Sequence, residues 1–130
     1  MSMKINLLVT GGLFTQQSGY SAWRFCQAAL QAGHQIRQVF FYQDGVTQGS
    51  ALAVPLSDEF NMLEAWIELA ERGVELIVCV SAAERRGMIS QDGGAELDLD
   101  QYNLHPVFKV AGLGVLHQTS LDADRTVTFK

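Results

Sequence analysis

The stretch ELIVCVSAAERRG, residues 75–87, places a cysteine at the end of an apolar, mostly β-branched run and just before a predicted helix. A thiol at the amino end of a helix meets the positive end of the helix dipole and free backbone N–H groups, and both favour the thiolate. Cys79 would then be an accessible, easily ionised sulfur suited to nucleophilic attack or to sulfur transfer. Alternatively Cys79 fills the core, because free cysteine is among the residues most often buried. The spacing leaves both interpretations open.

Ser81, Arg85 and Arg86 follow Cys79 on the predicted helix. We predict that they stabilise the thiolate, since neighbouring positive charge favours an ionised cysteine, or that they dock a partner. An acidic partner surface would suit the two arginines. The alternative for the arginines is an ordinary solvated helix face.

The other candidate residues point to structural roles. Cys26 shares a helix face with Trp23 and Leu30 at the i, i+3, i+7 spacing of a buried stripe, so we expect it in the core. Two cysteines without a C-x-x-C pair or a His/Cys cluster indicate neither a zinc site nor a disulfide framework. The glycines of TGGLFTQQSG lack the G-x-G-x-x-G spacing of a nucleotide-binding loop. We therefore expect no cofactor and no metal.

Alternating strands and helices must position Cys79. Apolar runs bounded by turn residues predict strands at residues 4–10, 35–42, 74–80, 107–112 and 124–129. Helical spacing and end signals predict helices at residues 18–33 and 57–73, with a further helical turn or two before the last strand. This order predicts a single-domain α/β sandwich over residues 1–130, with a mainly parallel five-stranded sheet flanked by helices.

Two segments, residues 43–55 and 90–106, show no regular pattern and are predicted to be irregular. In an open α/β sheet, the loops that leave the carboxyl ends of strands border the functional site. The loop after the second strand and the segment after the third strand are therefore site candidates.

The second helix, residues 57–73, is predicted to begin at an N-cap formed by Ser57 or Asp58, with acids in its first turn. Its apolar residues span an arc of about 180°, wider than the roughly 100° that a helix needs to pack on a sheet. They are Phe60, Met62, Leu63, Trp66, Ile67, Leu69 and Ala70. Part of this arc either faces another subunit or packs under a neighbouring loop.

The composition narrows the function classes. The chain has 130 residues, 48% of them hydrophobic and 18% charged, and a net charge of −5. Without a stripe of lysines and arginines, this acidic balance argues against direct binding of nucleic acid. No apolar stretch approaches the roughly 18 residues that span a membrane, and the amino-terminal run lacks the features of a signal peptide. A cytoplasmic location is expected.

Five stretches resemble the DsrE family of small sulfurtransferases, and within it the TusD type of subunit. They are TQQSGYSAWRFCQAAL, GHQIRQVFFYQDGV, SDEF, CVSAAERRG and NLHPVFKVAGLGVL. The similarity covers almost the whole length of the chain, and five matching blocks in order are far more specific than any one of them. The resemblance implies a DsrE-like fold, which is similar to flavodoxin-like and Rossmann-like arrangements.

The resemblance also implies a persulfide relay. Subunits of this type take sulfur from a TusA-like donor and pass it to a TusE-like acceptor, in the relay that ends in 2-thiolation of the wobble uridine of tRNA. The family's cysteine falls on Cys79, whereas Cys26 lies outside the motif. In the family, such subunits assemble with TusB-like and TusC-like subunits as a dimer of heterotrimers.

Three other functions compete with this one. A DsrE-type protein of dissimilatory sulfur oxidation would use the same cysteine chemistry with a DsrC-like acceptor. A non-catalytic scaffold subunit is disfavoured because Cys79 is retained within its motif. A flavodoxin-like nucleotide-binding module is disfavoured by the unsuitable glycine loop.

Overall fold

The computed structural model describes every residue of the chain, 1–130. The strands are β1 (Lys4–Val9), β2 (Gln35–Phe41), β3 (Glu75–Cys79), β4 (Lys109–Ala111) and β5 (Arg125–Phe129). The helices are α1 (Ser18–Gln31), α2 (Met62–Glu71), α3 (Val80–Arg85), α4 (Gln91–Glu96) and α5 (Leu113–Asp122). All five strands form one sheet in the order β4-β3-β2-β1-β5, and every neighbouring pair is parallel. The predicted α/β fold with a five-stranded sheet is confirmed.

Helices cover both faces of this sheet. α1 and α2 pack against each other on one face, where the ring of Trp66 lies 5.1 Å from that of Phe41 in β2. α5 joins the two edge strands across the opposite face, where the Thr119 hydroxyl donates to the side chain of Gln38. The central strands are strongly apolar because both of their faces are covered. None of the helices is long and apolar enough to cross a membrane.

The start of α2 corrects a prediction. The helix begins at Met62, and its N-cap is Asn61, whose Oδ1 accepts from the backbone N–H of Glu64 at 3.1 Å. Ser57 and Asp58, the predicted N-caps, lie instead in an exposed turn before the helix. Asparagine caps a helix as well as serine or aspartate does, and an acidic residue three positions later strengthens the cap.

The irregular segments contain more structure than predicted. Residues 90–106 contain α4, because the Ser90 hydroxyl caps the helix by accepting from the N–H of Gly93 at 3.0 Å. Residues 43–55 begin with a 3₁₀ segment, Gln43–Gly49. The adjacent glycines Gly93 and Gly94 obscure the helical pattern of residues 90–106, since glycine is a poor helix former. The predicted turn or two before β5 is α5, a helix of 10 residues.

The wide apolar arc of α2 is covered largely by the chain itself. Trp66 is fully buried and donates its Nε1–H to Oε1 of Gln48 in the 3₁₀ segment at 3.2 Å. The Nε2 group of Gln48 in turn donates to the carbonyl of Gly11 at 3.2 Å. Phe60, just before α2, is half-exposed and stacks with Trp23 of α1. Trp66 therefore packs under a neighbouring loop of its own chain and does not face another subunit.

Candidate active site

Cys79 is the last residue of β3, and its backbone is the N-cap of α3. It therefore lies at the carboxyl edge of the sheet, opposite Ala111 of β4 in the parallel register. α5 begins at Leu113, two residues after Ala111, so the amino ends of two helices meet the sheet edge beside Cys79. The positive ends of these helix dipoles favour negative charge at this edge. Cys79 thus lies at the end of a strand, as the apolar run in the sequence predicted.

The Cys79 thiol is inside the protein. Its residue is 0% exposed and belongs to the main hydrophobic core. The Sγ atom lies 3.6 Å from the hydroxyl oxygen of Ser81, which is itself exposed on the first turn of α3. The Ser81 hydroxyl therefore contacts both the sulfur and the solvent. With no exposed surface, the sulfur is out of reach of a reacting group in this conformation.

The two arginines have different surroundings. Arg86 donates from Nε to Oδ1 of Asp44 at 2.8 Å and from Nη1 to the carbonyl of Ala82 at 3.1 Å. Arg86 thereby ties the end of α3 to the 3₁₀ segment that follows β2. Arg85 is exposed and makes no ion pair. Neither arginine hydrogen-bonds to Cys79, so their role toward the sulfur stays a prediction.

Sequence reasoning missed Asp44, which the structure places at the site's border. Asp44 and Arg86 are 42 residues apart, and no helical or strand spacing links them. The only signal in the sequence was the expectation that the loop after the second strand borders the site. The 3₁₀ segment in this loop does pack against both β3 and α3.

A groove of about 520 Å³ runs along α3 next to the cysteine. Val80, the residue after Cys79, lines this groove together with residues of α3, α4 and β4. Three carboxylates line it, those of Glu84, Asp92 and Glu96, against the single cation of Lys109. The structure contains no group of three or more His, Cys, Asp or Glu side chains placed to hold a metal ion.

Cys26 is confirmed as a core residue. It lies on the buried face of α1 with no exposed surface. Desolvation by burial raises the pKa of the Cys26 thiol to about 12. The thiol therefore stays protonated at neutral pH and is a poor nucleophile, since the thiolate is the reactive species.

The raised pKa of Cys26 predicts a loss of stability in alkali. The unfolded chain releases this proton near pH 9.0, whereas the folded chain holds it up to about pH 12. The free energy of unfolding should therefore fall as pH rises through this interval, by at most about 1.4 kcal/mol per pH unit from this group. Urea unfolding of the native chain and of Cys26→Ala from pH 8 upward measures the effect. The stability difference between the two must shrink with rising pH; a constant difference would contradict the prediction.

The amino-acid sequence matches a known protein family and several named relatives. The model for the DsrE/DsrF-like family matches residues 3–129. A protein named sulfurtransferase TusD homolog from Vibrio parahaemolyticus is 49% identical over 124 residues, 95% of either chain. Sulfurtransferase TusD from Klebsiella pneumoniae is 44% identical over 128 residues, 98% of this chain and 100% of the relative.

Solved structures share the fold at lower identity. The crystal structure of the ychN protein from E. coli superposes with a TM-score of 0.79 at 21% identity, over 98% of this chain and 99% of that one. The protein of unknown function MTH1491 from Methanobacterium thermoautotrophicum superposes with a TM-score of 0.59 at 14% identity, over 96% and 98% of the two chains. These similarities support the arrangement of strands and helices alone.

Proposed function

Since the chain belongs to the DsrE/DsrF-like family and is a sulfurtransferase, we propose that it accepts a persulfide sulfur on Cys79 and relays it to a TusE-like acceptor. The sulfur would come from a TusA-like donor and end in 2-thiolation of the wobble uridine of tRNA. The observation that carries this proposal is the position of Cys79 at a strand end, beside two helix amino termini and 3.6 Å from a hydroxyl. Cys26 is buried as well, but it lies in the middle of α1 and not at a strand end or at the start of a helix.

The transfer step needs no outside oxidant or reductant. The Cys79 thiolate attacks the outer sulfur of the donor persulfide, a new S–S bond forms on Cys79, and the donor's own S–S bond breaks. The donor cysteine leaves as a thiolate, and the transferred sulfur keeps its proton. The second step repeats this chemistry, with the acceptor cysteine as the attacking thiolate. The Ser81 hydroxyl can donate to the negative charge on the Cys79 sulfur, which is the attacking thiolate in the first step and the leaving thiolate in the second.

The burial of Cys79 makes access a part of this mechanism. Local openings of a protein have lower free energies than global unfolding, and short, partly exposed helices are among the segments that open. α3 has six residues, four of them exposed or half-exposed. Arg86 links α3 to Asp44, so this ion pair resists the opening that a donor requires. Its loss should make the thiol easier to reach.

Replacing Arg86 by alanine is expected to speed alkylation of Cys79 by iodoacetamide by a factor between about 1.4 and five. A partly exposed ion pair contributes about 0.2–1 kcal/mol, which corresponds to a change of this size in the opening equilibrium. Asp44→Asn should act in the same direction but more weakly, because it removes the negative charge and keeps an oxygen that can accept from Arg86. Arg85→Ala, which loses an arginine without an ion pair, is the matched control. Equal rates in Arg86→Ala and Arg85→Ala would show that the pair does not limit access.

We also propose that the chain works in the cytoplasm, in a complex with TusB-like and TusC-like subunits. An extended segment before α2 supports a protein partner, because Leu52, Val54 and Leu56 are 71%, 85% and 69% exposed. Contiguous exposed apolar surface of this kind marks interaction sites. Co-expression with the two subunits and gel filtration tests the complex. If the chain elutes separately from the two co-expressed subunits, the proposed complex is wrong.

The acceptor is tested separately from the loading step. The persulfide-loaded chain is mixed with a TusE-like protein and, in a second reaction, with a DsrC-like protein, and the mass of each acceptor is measured. We expect sulfur to appear on the TusE-like protein. Transfer to the DsrC-like protein alone would assign the chain to dissimilatory sulfur oxidation.

A further inference from the structure

We propose that the chain binds a small oxyanion, of the phosphate or carboxylate type, in a cavity at the amino edge of the sheet. The cavity has a volume of about 460 Å³ and lies where β2 and β3 begin, at the opposite end of the strands from Cys79. Its lining comes from the ends of α1 and α2, the first residues of β2 and β3, and Thr119 of α5. Only Leu30 and Ile36 in this lining are hydrophobic.

Gln38 is the first residue that points to a ligand. Its side chain lines the cavity but the residue is only 2% exposed. The Oε1 atom lies toward α5 and accepts a hydrogen bond from the Thr119 hydroxyl at 2.5 Å. The Nε2 group is buried and has no acceptor. An unpaired buried donor costs free energy, so a bound acceptor would be favourable here, and the amide must shift toward the cavity to meet it because its Nε2 has no accessible surface.

Two arginines supply positive charge to the same cavity. Arg37 and Arg72 both line it, and neither takes part in an ion pair. The only carboxylate in the lining belongs to Glu75, which is already paired with Lys109 at 3.4 Å. Guanidinium groups bind carboxylates and phosphates through parallel charge-assisted hydrogen bonds. The free charge in the cavity therefore favours an anion.

His34 adds a further donor. Its Nδ1 accepts from the backbone N–H of Met3 at 3.1 Å, so the neutral imidazole carries its proton on Nε2. The imidazole is half-buried in the cavity wall. His34, Gln38 and the two arginines thus present side-chain donors that have no acceptor within the chain. The hydroxyl of Thr119 is not among them, because it already bonds within the chain.

The helix ends beside the cavity do not use up these donors. α1 and α2 both end here, and each is followed by a glycine with positive φ, Gly33 at 89° and Gly73 at 92°. The backbone N–H groups of these turns bond the last helical carbonyls, for example Gly73 to Ala70 at 3.0 Å and His34 to Ala29 at 3.0 Å. The carbonyls are satisfied within their own turns. These carbonyls therefore do not serve as acceptors for the side-chain donors of the cavity.

The test is a titration of the full chain, labelled with ¹⁵N, with inorganic phosphate and separately with succinate. Chloride keeps the ionic strength constant. We expect the side-chain amide signals of Gln38 and the backbone signals of residues 34–38 to shift and to saturate with either probe. A stronger response to phosphate would identify a tetrahedral anion as the ligand, and a stronger response to succinate a carboxylate.

Variants decide whether the cavity is responsible. Arg37→Gln and Arg72→Gln should each weaken binding by at least about tenfold, as expected for the loss of a charge-assisted pair. Both residues are exposed, so these substitutions leave the core intact. Arg24→Gln removes the same charge from the exposed face of α1 and should change nothing. Absence of saturable shifts with both probes, or equal binding in all three variants, would overturn the proposal.

Discussion

The chain with Cys79 replaced by alanine is expected to gain no sulfur from a persulfide-loaded donor, whereas the native chain gains about 32 Da, the mass of one sulfur atom. The loss should be complete, because the thiolate that forms the new S–S bond is gone and Cys26 cannot replace it. Burial raises the pKa of the Cys26 thiol to about 12 and keeps it protonated. Intact-protein mass spectrometry before and after reduction measures the gain.

The matched control for this experiment is Cys26→Ala, which also removes one thiol from the core. It should be loaded with sulfur as well as the native chain is. Since Cys79 is buried, the reaction is also run with the TusB-like and TusC-like subunits present. Loading that survives in Cys79→Ala would place the sulfur elsewhere. No loading of the native chain, even with its partners, would favour a scaffold role for this subunit.

Truncation of Trp66 to alanine should cost about 3–5 kcal/mol of folding free energy, from the loss of a large buried ring. Trp66 is fully buried against Phe41 of β2, at a ring distance of 5.1 Å. The buried Oε1 of Gln48 would also lose its donor, at a further cost of about 1–3 kcal/mol. Urea unfolding followed by circular dichroism measures the change.

A second variant separates the ring from its hydrogen bond. Trp66→Phe keeps an aromatic ring in the core but removes the Nε1–H that Gln48 accepts. It should therefore cost less than Trp66→Ala. The reason for the bond is structural: Gln48 also donates to Gly11, so it joins α2 to the loop after β1. If Trp66→Ala unfolds at the same urea midpoint as the native chain, the packing around this ring does not stabilise the fold.

The order of the elements could be predicted from the sequence because it depends on local patterns. The apolar run that ends at Cys79 requires a strand with both faces covered, and the glycines at positions 33 and 73 end the helices before β2 and β3. The start of α2 could not be assigned in this way. Ser57, Asp58 and Asn61 are all good N-caps, and only the folded backbone selects Asn61.

The sequence by itself determined the sheet, its parallel strands and the position of Cys79 at a strand end, since periodicity and end signals act over a few residues. The tertiary structure alone decided that the Cys79 thiol is buried, that Arg86 pairs with Asp44, and that Arg37 and Arg72 share a cavity with Gln38. These relations join residues that are distant in the chain. Burial and pairing depend on how the layers pack, and no local spacing encodes that packing.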